Sequence, residues 1–258
     1  MNNKNILVEQ LDKVLVIEIS RADKKNALTG LMYEDMTNAL NLASNEAQIS
    51  AVLIKGQNDL FTSGNDVKDF LNRDPNKEPA AIKFLKTISN FKKPVVAAVG
   101  GDAIGIGTTM LMHCDLVIAA DNARFQLPFV KLGLCPEAAS SFLLPQLAGS
   151  RIASELLMLG DFFSADKAIA AGIINSTCPQ ESLIEKALSL AMKLANQPTD
   201  ALMTTKSLLK KNQASAVDHV MADELKEFSR LLGTEASKEI FTAFLEKRPV
   251  DTSKIHAN

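Results

Sequence analysis

The sequence predicts an α/β core followed by a helical C-terminal region. Short apolar runs alternate with amphipathic segments through most of the chain, as strands and helices do in such a core. After about Gln180 the strand pattern fades and helical periodicity continues. The 258 residues are 47% hydrophobic, which is enough for one large core or a core with a smaller appendage. We therefore divide the chain into a core over 1–195 and a helical region over 196–258.

Strand and helix signals alternate along the core. Buried strands are predicted over 6–10, 14–20, 51–55, 95–99 and 116–119. Helices are predicted over 30–45, 66–71, 80–90, 106–112 and 137–147. After about Gln180, helices are predicted over 183–196, 201–211, 216–232 and 235–246.

An apolar stripe follows one face of the predicted helix 216–232. Its members are Val217, Val220, Met221, Leu225, Phe228, Leu231 and Leu232. Such a stripe needs a partner surface to leave water. Another subunit and the same chain satisfy this pattern equally well.

Charge and cysteine content narrow the classes of function. A net charge of -2 gives no basic footprint for nucleic-acid binding. Cys114, Cys135 and Cys178 are widely spaced, which favours reduced thiols over a disulfide framework or a zinc site. The N-terminus lacks the apolar run of a secretory signal, and no apolar run reaches the roughly 18 residues of a membrane span. We expect a cytoplasmic protein that binds a small molecule, with no metal and no membrane or nucleic-acid partner.

Two glycine-bearing loops can present backbone N–H donors. The first covers 61–66, with the sequence FTSGND, and the second covers 100–107, with the sequence GGDAIGIG. Glycine at this density specifies backbone shape rather than side-chain chemistry. The second loop does not fit a nucleotide-binding fingerprint, because the third glycine of that pattern and a Gly-Lys-Ser/Thr ending are both missing.

Glu137 stands just past Pro136, where a helix is predicted to begin. In one interpretation the pair merely opens the helix, since proline favours the first turn and acidic side chains suit its positive end. In the other, a single carboxylate base downstream of two donor loops performs enolate chemistry. The residues alone leave both interpretations open.

Other polar residues are given structural interpretations. His113 lies beside Cys114, but no further ligands follow at metal-binding spacing. Asp66 precedes a short helical segment and is interpreted as its N-cap. Ser140 and Ser141 lack a nucleophile motif, so a serine hydrolase is disfavoured.

Several segments together resemble the enoyl-CoA hydratase/isomerase superfamily, also called the crotonase superfamily. They are 21–28, 61–66, 93–99, 113–116, 125–137 and 164–168, so the resemblance spans most of the chain. Each segment alone is weak, whereas the set is specific. The resemblance implies a crotonase-like spiral of ββα turns and a C-terminal helical trimerisation region. It further implies an acyl-CoA thioester substrate, no separate cofactor, and a homotrimer or a dimer of trimers.

The resemblance also implies the residues of the site. The thioester oxygen would accept hydrogen bonds from the backbone N–H groups of Asn65 and Ile106. Further substrate contacts are expected at Arg21, Lys24, Ser63, Gly64, Asp66, Gly105 and Phe129. The basic side chains of this set, with Lys25, would meet the CoA phosphates. For the lysines, an ordinary solvated turn is the alternative.

The reaction depends on the carboxylates. The family's hydratases place glutamates at two positions that here hold Thr109 and Phe129, and neither residue can activate water or deliver a proton as a carboxylate does. The segment around Glu137 resembles the Δ3,Δ2-enoyl-CoA isomerases most closely, with Ala138 where that pattern often has glycine. The sequence therefore predicts an isomerase of fatty-acid degradation that converts 3-enoyl-CoA to 2-enoyl-CoA. The alternatives are an enoyl-CoA hydratase or another acyl-CoA enzyme of the superfamily, and a catalytically silent acyl-CoA-binding protein.

Overall fold

Strands and helices alternate in this computed structural model, which describes residues 5–57, 59–71 and 77–255. The strands are β1 Ile6–Leu11, β2 Val14–Ile19, β3 Ala51–Lys55, β4 Val95–Val99, β5 Ala103–Ile104, β6 Leu116–Ala120, β7 Arg124–Gln126, β8 Phe162–Ser164 and β9 Ser176–Cys178. The helices are α1 Gly30–Asn45, α2 Val67–Leu71, α3 Ala80–Ser89, α4 Ile106–Thr109, α5 Ser140–Ser154, α6 Ala165–Ala170, α7 Leu183–Ala195, α8 Thr199–Lys211, α9 Ala214–Leu232, α10 Glu235–Glu246 and α11 Thr252–Ile255. The predicted α/β core and helical C-terminal region are confirmed.

Two sheets organise the core. Over the described residues, the larger has six strands in the order β1-β2-β3-β4-β6-β9. Its neighbours are parallel except for the antiparallel β1–β2 pair. Strand β4 is buried along its whole length, as expected of a central parallel strand covered on both faces. The smaller sheet, β5-β7-β8, carries the second glycine loop and leads directly into α4.

Two predicted helices need correction, and several short elements were not predicted. The predicted helix 137–147 is α5, which begins at Ser140, because Ala138 and Ala139 have φ values of 62° and 55° that a right-handed helix does not contain. The predicted helix 106–112 is α4 followed by a separate 3₁₀ turn, Met110–His113. The short elements β5, β7, β8, β9 and α6 were not predicted as elements, because runs of two to six residues carry too little periodicity.

The apolar stripe of α9 packs within the chain. Val217, Met221 and Phe228 are all less than a tenth exposed in the isolated subunit. Helix α5 is among the elements that α9 contacts. The other four stripe residues are half-buried: Val220, Leu225, Leu231 and Leu232. The chain therefore covers part of the stripe. Among the helices of the described residues, none is both long and apolar enough to cross a membrane.

Candidate active site

The first glycine loop is held by backbone hydrogen bonds that leave the N–H of Asn65 unused. The N–H of Leu28 donates to the carbonyl of Gly64, and the N–H of Asp66 donates to the carbonyl of Leu28, both at 2.8 Å. These two bonds form the bridge between Leu28 and Asn65, but the N–H of Asn65 takes no part in them. Thr62 forms a second bridge, to β5. The first loop is thereby aligned along the strand that leads into the second loop.

Glycine is required where the two loops approach. A Cβ added at Gly64 would lie 2.7 Å from the carbonyl oxygen of Ile104, and the φ of Gly64 is 86°. A Cβ at Gly107 would lie 2.6 Å from Cγ2 of Thr62. Both distances are shorter than real carbon contacts allow. The glycines therefore let the two loops pack against each other through their backbones.

The start of α4 leaves an open donor at Ile106. The N–H of Gly105 donates to Gln126, and the N–H groups of Thr108 and Thr109 both donate to the carbonyl of Gly105. Ile106 is the first residue of α4, where an N–H has no partner within the helix. Within the part of the chain that the structure describes, neither this N–H nor that of Asn65 has a hydrogen-bond acceptor. An anionic oxygen would satisfy such donors.

Glu137 is a buried carboxyl group whose side chain meets α4. It is 8% exposed, and the hydroxyl of Thr109 donates to its Oε1. Burial raises the pKa of Glu137 from its ordinary 4.5 to about 8, a rise that the Thr109 bond opposes and the negative charge of Glu224 increases. A carboxyl group with a pKa this close to neutrality suits proton transfer at physiological pH.

The turn after Glu137 is held on its carbonyl side. Ser140 donates to the carbonyl of Glu137 from both its N–H, at 3.0 Å, and its Oγ, at 2.6 Å. Nε2 of His113 lies 2.8 Å from the carbonyl oxygen of Ala138. Burial lowers the pKa of His113 to about 4, so its imidazole is neutral at physiological pH and donates this bond through Nε2–H. His113 is thus a structural donor within the turn.

The same turn is held on its N–H side by Glu224 of α9. Oε2 of Glu224 accepts from the N–H of Ala139 at 2.6 Å. Its Oε1 accepts from the N–H of Ser141 at 2.9 Å and from the Ser141 hydroxyl. Glu224 is 7% exposed, and burial raises its pKa. A side chain from the C-terminal helices therefore caps α5 beside Glu137.

Tyr33 of α1 holds the side chain of Asn65 in the first loop. Its hydroxyl donates to Oδ1 of Asn65 at 2.7 Å. Burial raises the pKa of Tyr33 well above its usual value, and the nearby charge of Glu137 raises it further. Tyr33 is therefore a neutral donor that orients the Asn65 side chain. Asn65 with Tyr33 and Glu137 with Thr109 are thus two hydrogen-bonded pairs, and the charge of Glu137 acts on Tyr33.

This geometry agrees with the comparisons to known proteins. The family model for enoyl-CoA hydratase/isomerase matches residues 9–254. The chain belongs to that family. It is 32% identical over 248 residues to the 2,3-dehydroadipyl-CoA hydratase of Escherichia coli, covering 95% of this chain and 97% of that protein. It is 33% identical over 255 residues to the enoyl-CoA delta isomerase 2 of Rattus norvegicus, covering 96% of this chain and 65% of that protein.

Solved structures of the family share the fold. The crystal structure of an enoyl-CoA hydratase/isomerase from Pseudoalteromonas atlantica T6c superimposes with a TM-score of 0.92 at 37% identity. The match covers 96% of this chain and 99% of that one. The protein is therefore a crotonase-superfamily enzyme that acts on acyl-CoA. Relatives named as hydratases and as isomerases both occur, so the reaction must be inferred from the site itself.

Two of the predicted substrate-binding residues have internal partners. Arg21 forms an ion pair with Oδ2 of Asp66 at 2.8 Å and donates to the carbonyl of Ala27 at 2.9 Å. Oδ1 of Asp66 accepts from the N–H groups of Lys68 and Asp69, at 3.1 and 3.2 Å. The N-cap interpretation of Asp66 is confirmed. The ion pair joins the early motif to the first loop, and substrate contacts by Arg21 and Asp66 stay predictions.

The other predicted contacts differ in access. Lys24 and Lys25 are exposed on the turn beside the first loop. Ser63 is half-buried, and its N–H donates to the carbonyl of Lys25 at 3.1 Å. Phe129 is 5% exposed and belongs to the hydrophobic core. The lysines are thus open to a charged ligand, whereas Phe129 offers little surface to one.

The sequence interpretation missed Glu224 and Tyr33. Glu224 follows Val217 and Met221 at helical spacing on the buried face of α9, so the signal was a carboxylate inside an apolar stripe. Tyr33 is the chain's one tyrosine and lies on the buried face of α1. A buried polar group needs a partner, and that requirement is the clue in both cases.

A surface groove also lies away from these residues. It has a volume of about 490 Å³ and is lined by Ser182, Lys186 and Lys193 among others. Neither Glu137 nor the donor loops reach it. Over the described ranges, no cluster of three or more His, Cys, Asp or Glu side chains is arranged to hold a metal ion. The chemistry is therefore assigned to the group around Glu137.

Proposed function

We propose that the protein is a Δ3,Δ2-enoyl-CoA isomerase of fatty-acid degradation. The observation that carries this proposal is the buried carboxyl group of Glu137, with its raised pKa and its contact with α4. The two positions at which the family's hydratases hold glutamates contain Thr109 and Phe129. A site with one carboxylate base and no carboxylate at those two positions suits an isomerisation, in which a single base moves a proton from one carbon of the substrate to another.

In the proposed mechanism, ionised Glu137 removes a proton from C2 of a 3-enoyl-CoA. The electron pair of that C–H bond spreads through the dienolate onto the thioester oxygen. The N–H groups of Asn65 and Ile106 donate to this oxygen, and one such donor contributes about 2.7 to 4 kcal/mol in a dry site. Glu137 then returns its proton to C4, which leaves the 2-enoyl-CoA and the ionised base. The product is favoured because its double bond is conjugated with the thioester.

The raised pKa of Glu137 fits this role. A base accelerates proton removal more as its pKa rises, but only its ionised fraction reacts. With a pKa of about 8, roughly a tenth of Glu137 is ionised at pH 7. The base is thus strong and still available at physiological pH.

Hydration is the alternative reaction, and the site offers it little support. It requires one group to activate water and one to deliver a proton. The hydroxyl of Thr109 is bonded to Glu137, and Phe129 is buried in the core. Glu224 is a second carboxylate nearby, but both of its oxygens already accept hydrogen bonds from the start of α5. A second acid or base is therefore lacking among these residues.

The test is mass analysis of products formed from a panel of 2-enoyl- and 3-enoyl-CoA thioesters. Isomerisation conserves mass, hydration adds water, and thioester cleavage releases free CoA. Glu137→Gln should lower isomerisation by at least about 100-fold and leave acyl-CoA affinity, measured by calorimetry, near that of the wild type. Near-wild-type turnover in a folded Glu137→Gln protein would exclude Glu137 as the base. A wild-type protein without turnover on any thioester would indicate a silent binding protein.

The same variant tests the burial of Glu137 without any substrate. Because the pKa of Glu137 in the folded protein is raised from 4.5 to about 8, its contribution to stability is present below pH 4.5 and is lost as the pH rises towards 8. The loss is about 1.4 kcal/mol for each pH unit in this window. In denaturant unfolding, the free energy of unfolding of Glu137→Gln should therefore rise relative to that of the wild type as the pH increases from 4.5 towards 8.

Assembly as a homotrimer or a dimer of trimers also stays a prediction. The chain covers part of the α9 stripe and leaves Val220, Leu225, Leu231 and Leu232 half-buried. Other apolar side chains of the helical region are open to a partner. Leu208, Leu209 and Phe244 are 63%, 76% and 64% exposed in the isolated subunit.

A further inference from the structure

We infer that Glu224 is a positioning residue for Glu137, because it fixes the strained turn that connects Glu137 to α5. The inference rests on the proposed role of Glu137 as the base. It assigns to the C-terminal helical region a part in the active site, in addition to any part in assembly. Glu224 lies 87 positions after Glu137 in the sequence, so the site is complete only when α9 has packed.

The turn needs an external hold. Ala138 and Ala139 are consecutive residues with a Cβ, and both adopt the left-handed conformation. That conformation brings the Cβ too close to the following carbonyl oxygen, so each residue is strained. Strained backbone persists only where the surrounding structure fixes it. A shift in this turn would move the Glu137 carboxyl group directly.

Glu224 provides that hold from the N–H side. It accepts from the N–H of Ala139, inside the strained pair, and from the N–H of Ser141, just beyond it. His113 and Ser140 bind only carbonyl groups of the turn. Without Glu224, the N–H groups at the start of α5 would lose their acceptor, and such donors are costly to leave unpaired in a buried site.

The charge of Glu224 also acts on Glu137. Burial raises the pKa of Glu224, and the three hydrogen bonds that its oxygens accept at the start of α5 oppose that rise. Among the described residues no Lys, Arg or His side chain pairs with Glu224. His113 bonds the turn at the carbonyl of Ala138, and the thiol of Cys135 donates to the carbonyl of Glu224. Burial lowers the pKa of His113 to about 4 and raises the pKa of Cys135, so both are neutral at physiological pH. Burial also raises the pKa of Tyr33, which senses the charge of Glu137. When Glu224 is ionised, its negative charge disfavours ionisation of Glu137.

Glu239 of α10 offers a matched control. It is also a buried glutamate of the C-terminal helices, 5% exposed, and it accepts a hydrogen bond from the N–H of Asp251 at 2.9 Å. Its charge is paired with Arg248, and its hydrogen bonds do not reach the turn after Glu137. Glu239→Gln therefore removes a buried helical carboxylate and leaves the hydrogen bonds between Glu224 and the turn unchanged.

The experiment compares Glu224→Gln, Glu224→Asp and Glu239→Gln with the wild type in the full chain. Carbon NMR of labelled glutamate gives the pKa of Glu137 without any turnover, and steady-state kinetics with 3-enoyl-CoA gives kcat and KM. Glu224→Gln should lower the pKa of Glu137 by about half to one unit, since a like charge is removed. It should lower kcat by at least about tenfold with little change in KM, because the base is misplaced while the thioester donors remain.

The other variants should separate charge from position. Glu224→Asp keeps the charge but is one methylene shorter, so the pKa of Glu137 should stay near the wild-type value while kcat is intermediate. Glu239→Gln should change neither quantity, whatever its effect on thermal stability. If Glu224→Gln does not fold, kcat of Glu224→Asp decides alone, and a wild-type value overturns the proposal.

Two further results would overturn it. One is a folded Glu224→Gln protein with the wild-type kcat and an unmoved pKa of Glu137. The other is the same response in Glu239→Gln, which would indicate general loosening of the helices. Loss of the isomerase assignment is a separate outcome. It would appear as retained turnover in Glu137→Gln, and the NMR titration would still measure the coupling between the two glutamates.

Discussion

Two helices begin beside Glu137, and their N-termini are used in opposite ways. At α4, the N–H of Ile106 has no acceptor among the described residues and follows a glycine with a φ of 57°. At α5, the N–H groups of Ala139 and Ser141 are both occupied by Glu224. We call the N-terminus of α4 the open start. The N-terminus of α5, whose N–H groups donate to a carboxylate from α9, is the filled start.

The difference teaches how one kind of backbone group can serve two purposes. An open donor stabilises negative charge that appears only during a reaction, because it has no better partner beforehand. A filled donor fixes geometry, because its partner is permanent. We propose that α4 is used for the thioester oxygen and α5 for holding the base. The predictions below test each start in turn.

The largest expected effect comes from disturbing the open start. Gly64→Ala places a Cβ 2.7 Å from the carbonyl oxygen of Ile104, so the two loops must separate. If this misplaces the N–H of Asn65, kcat for isomerisation should fall by about 10²- to 10³-fold, as for loss of an oxyanion donor. Steady-state kinetics on 3-enoyl-CoA is the measurement.

Gly172→Ala is the control for backbone strain. Gly172 has a φ of 69°, but its added Cβ would meet only Leu147, at an ordinary 3.6 Å. Both alanines are strained in the left-handed region, whereas only the one at Gly64 forces the loops apart. Equal kcat values for the two variants would contradict the proposed use of the first loop.

The N-terminus of α4 was easier to predict from the sequence than the N-terminus of α5. The glycines of the two loops predicted the open one, because glycine content reports directly on backbone shape. For the filled one, Pro136 and Glu137 predicted a helix that begins three residues too early. No local sequence pattern predicts that Ala138 and Ala139 adopt the left-handed conformation, which glycine usually occupies. The N–H of Ala139 donates to Glu224, a tertiary contact that no local pattern contains.

The α/β core was predictable for a similar reason. Strands such as β4 are continuous apolar runs whose period and burial follow from the residues themselves. The pKa of Glu137 was not predictable, since it depends on burial and on Thr109 and Glu224, which lie far from it in the sequence. The donor roles of Asn65 and Ile106 stay predictions, whereas Tyr33 and Glu224, whose contacts cross the fold, were missed.

A smaller effect is expected at the bond between Glu137 and α4. In the wild type, kcat/KM should rise about tenfold per pH unit up to about 8, because the base must lose its proton. The Thr109 bond lowers the pKa of Glu137. Thr109→Val removes this hydrogen bond. The rise of kcat/KM with pH should therefore move to higher pH by about one unit, and kcat/KM at pH 7 should fall by up to about tenfold.

Thr108→Val is the matched control for this bond. The two threonines are adjacent and both fully buried, but the hydroxyl of Thr108 donates to the carbonyl of Ala103 instead of to Glu137. Thr108→Val should cost about 1 to 3 kcal/mol of stability and leave the pH profile in place. If both variants shift the profile equally, the Thr109 bond does not tune the base.

The smallest expected effect is in the turn before the filled start. Ala138→Gly removes the Cβ that strains a residue with a φ of 62°. The relief of about 1 to 2 kcal/mol is offset by about 0.5 to 1 kcal/mol of extra chain entropy in the unfolded state, so the variant should be slightly more stable. Ala222→Gly, on the exposed face of α9, should instead be about 1 kcal/mol less stable, because its backbone is helical. Urea unfolding measures both values. A loss of stability in Ala138→Gly as large as in Ala222→Gly would mean that the turn carries no strain, and Glu224 would then have nothing to hold in place.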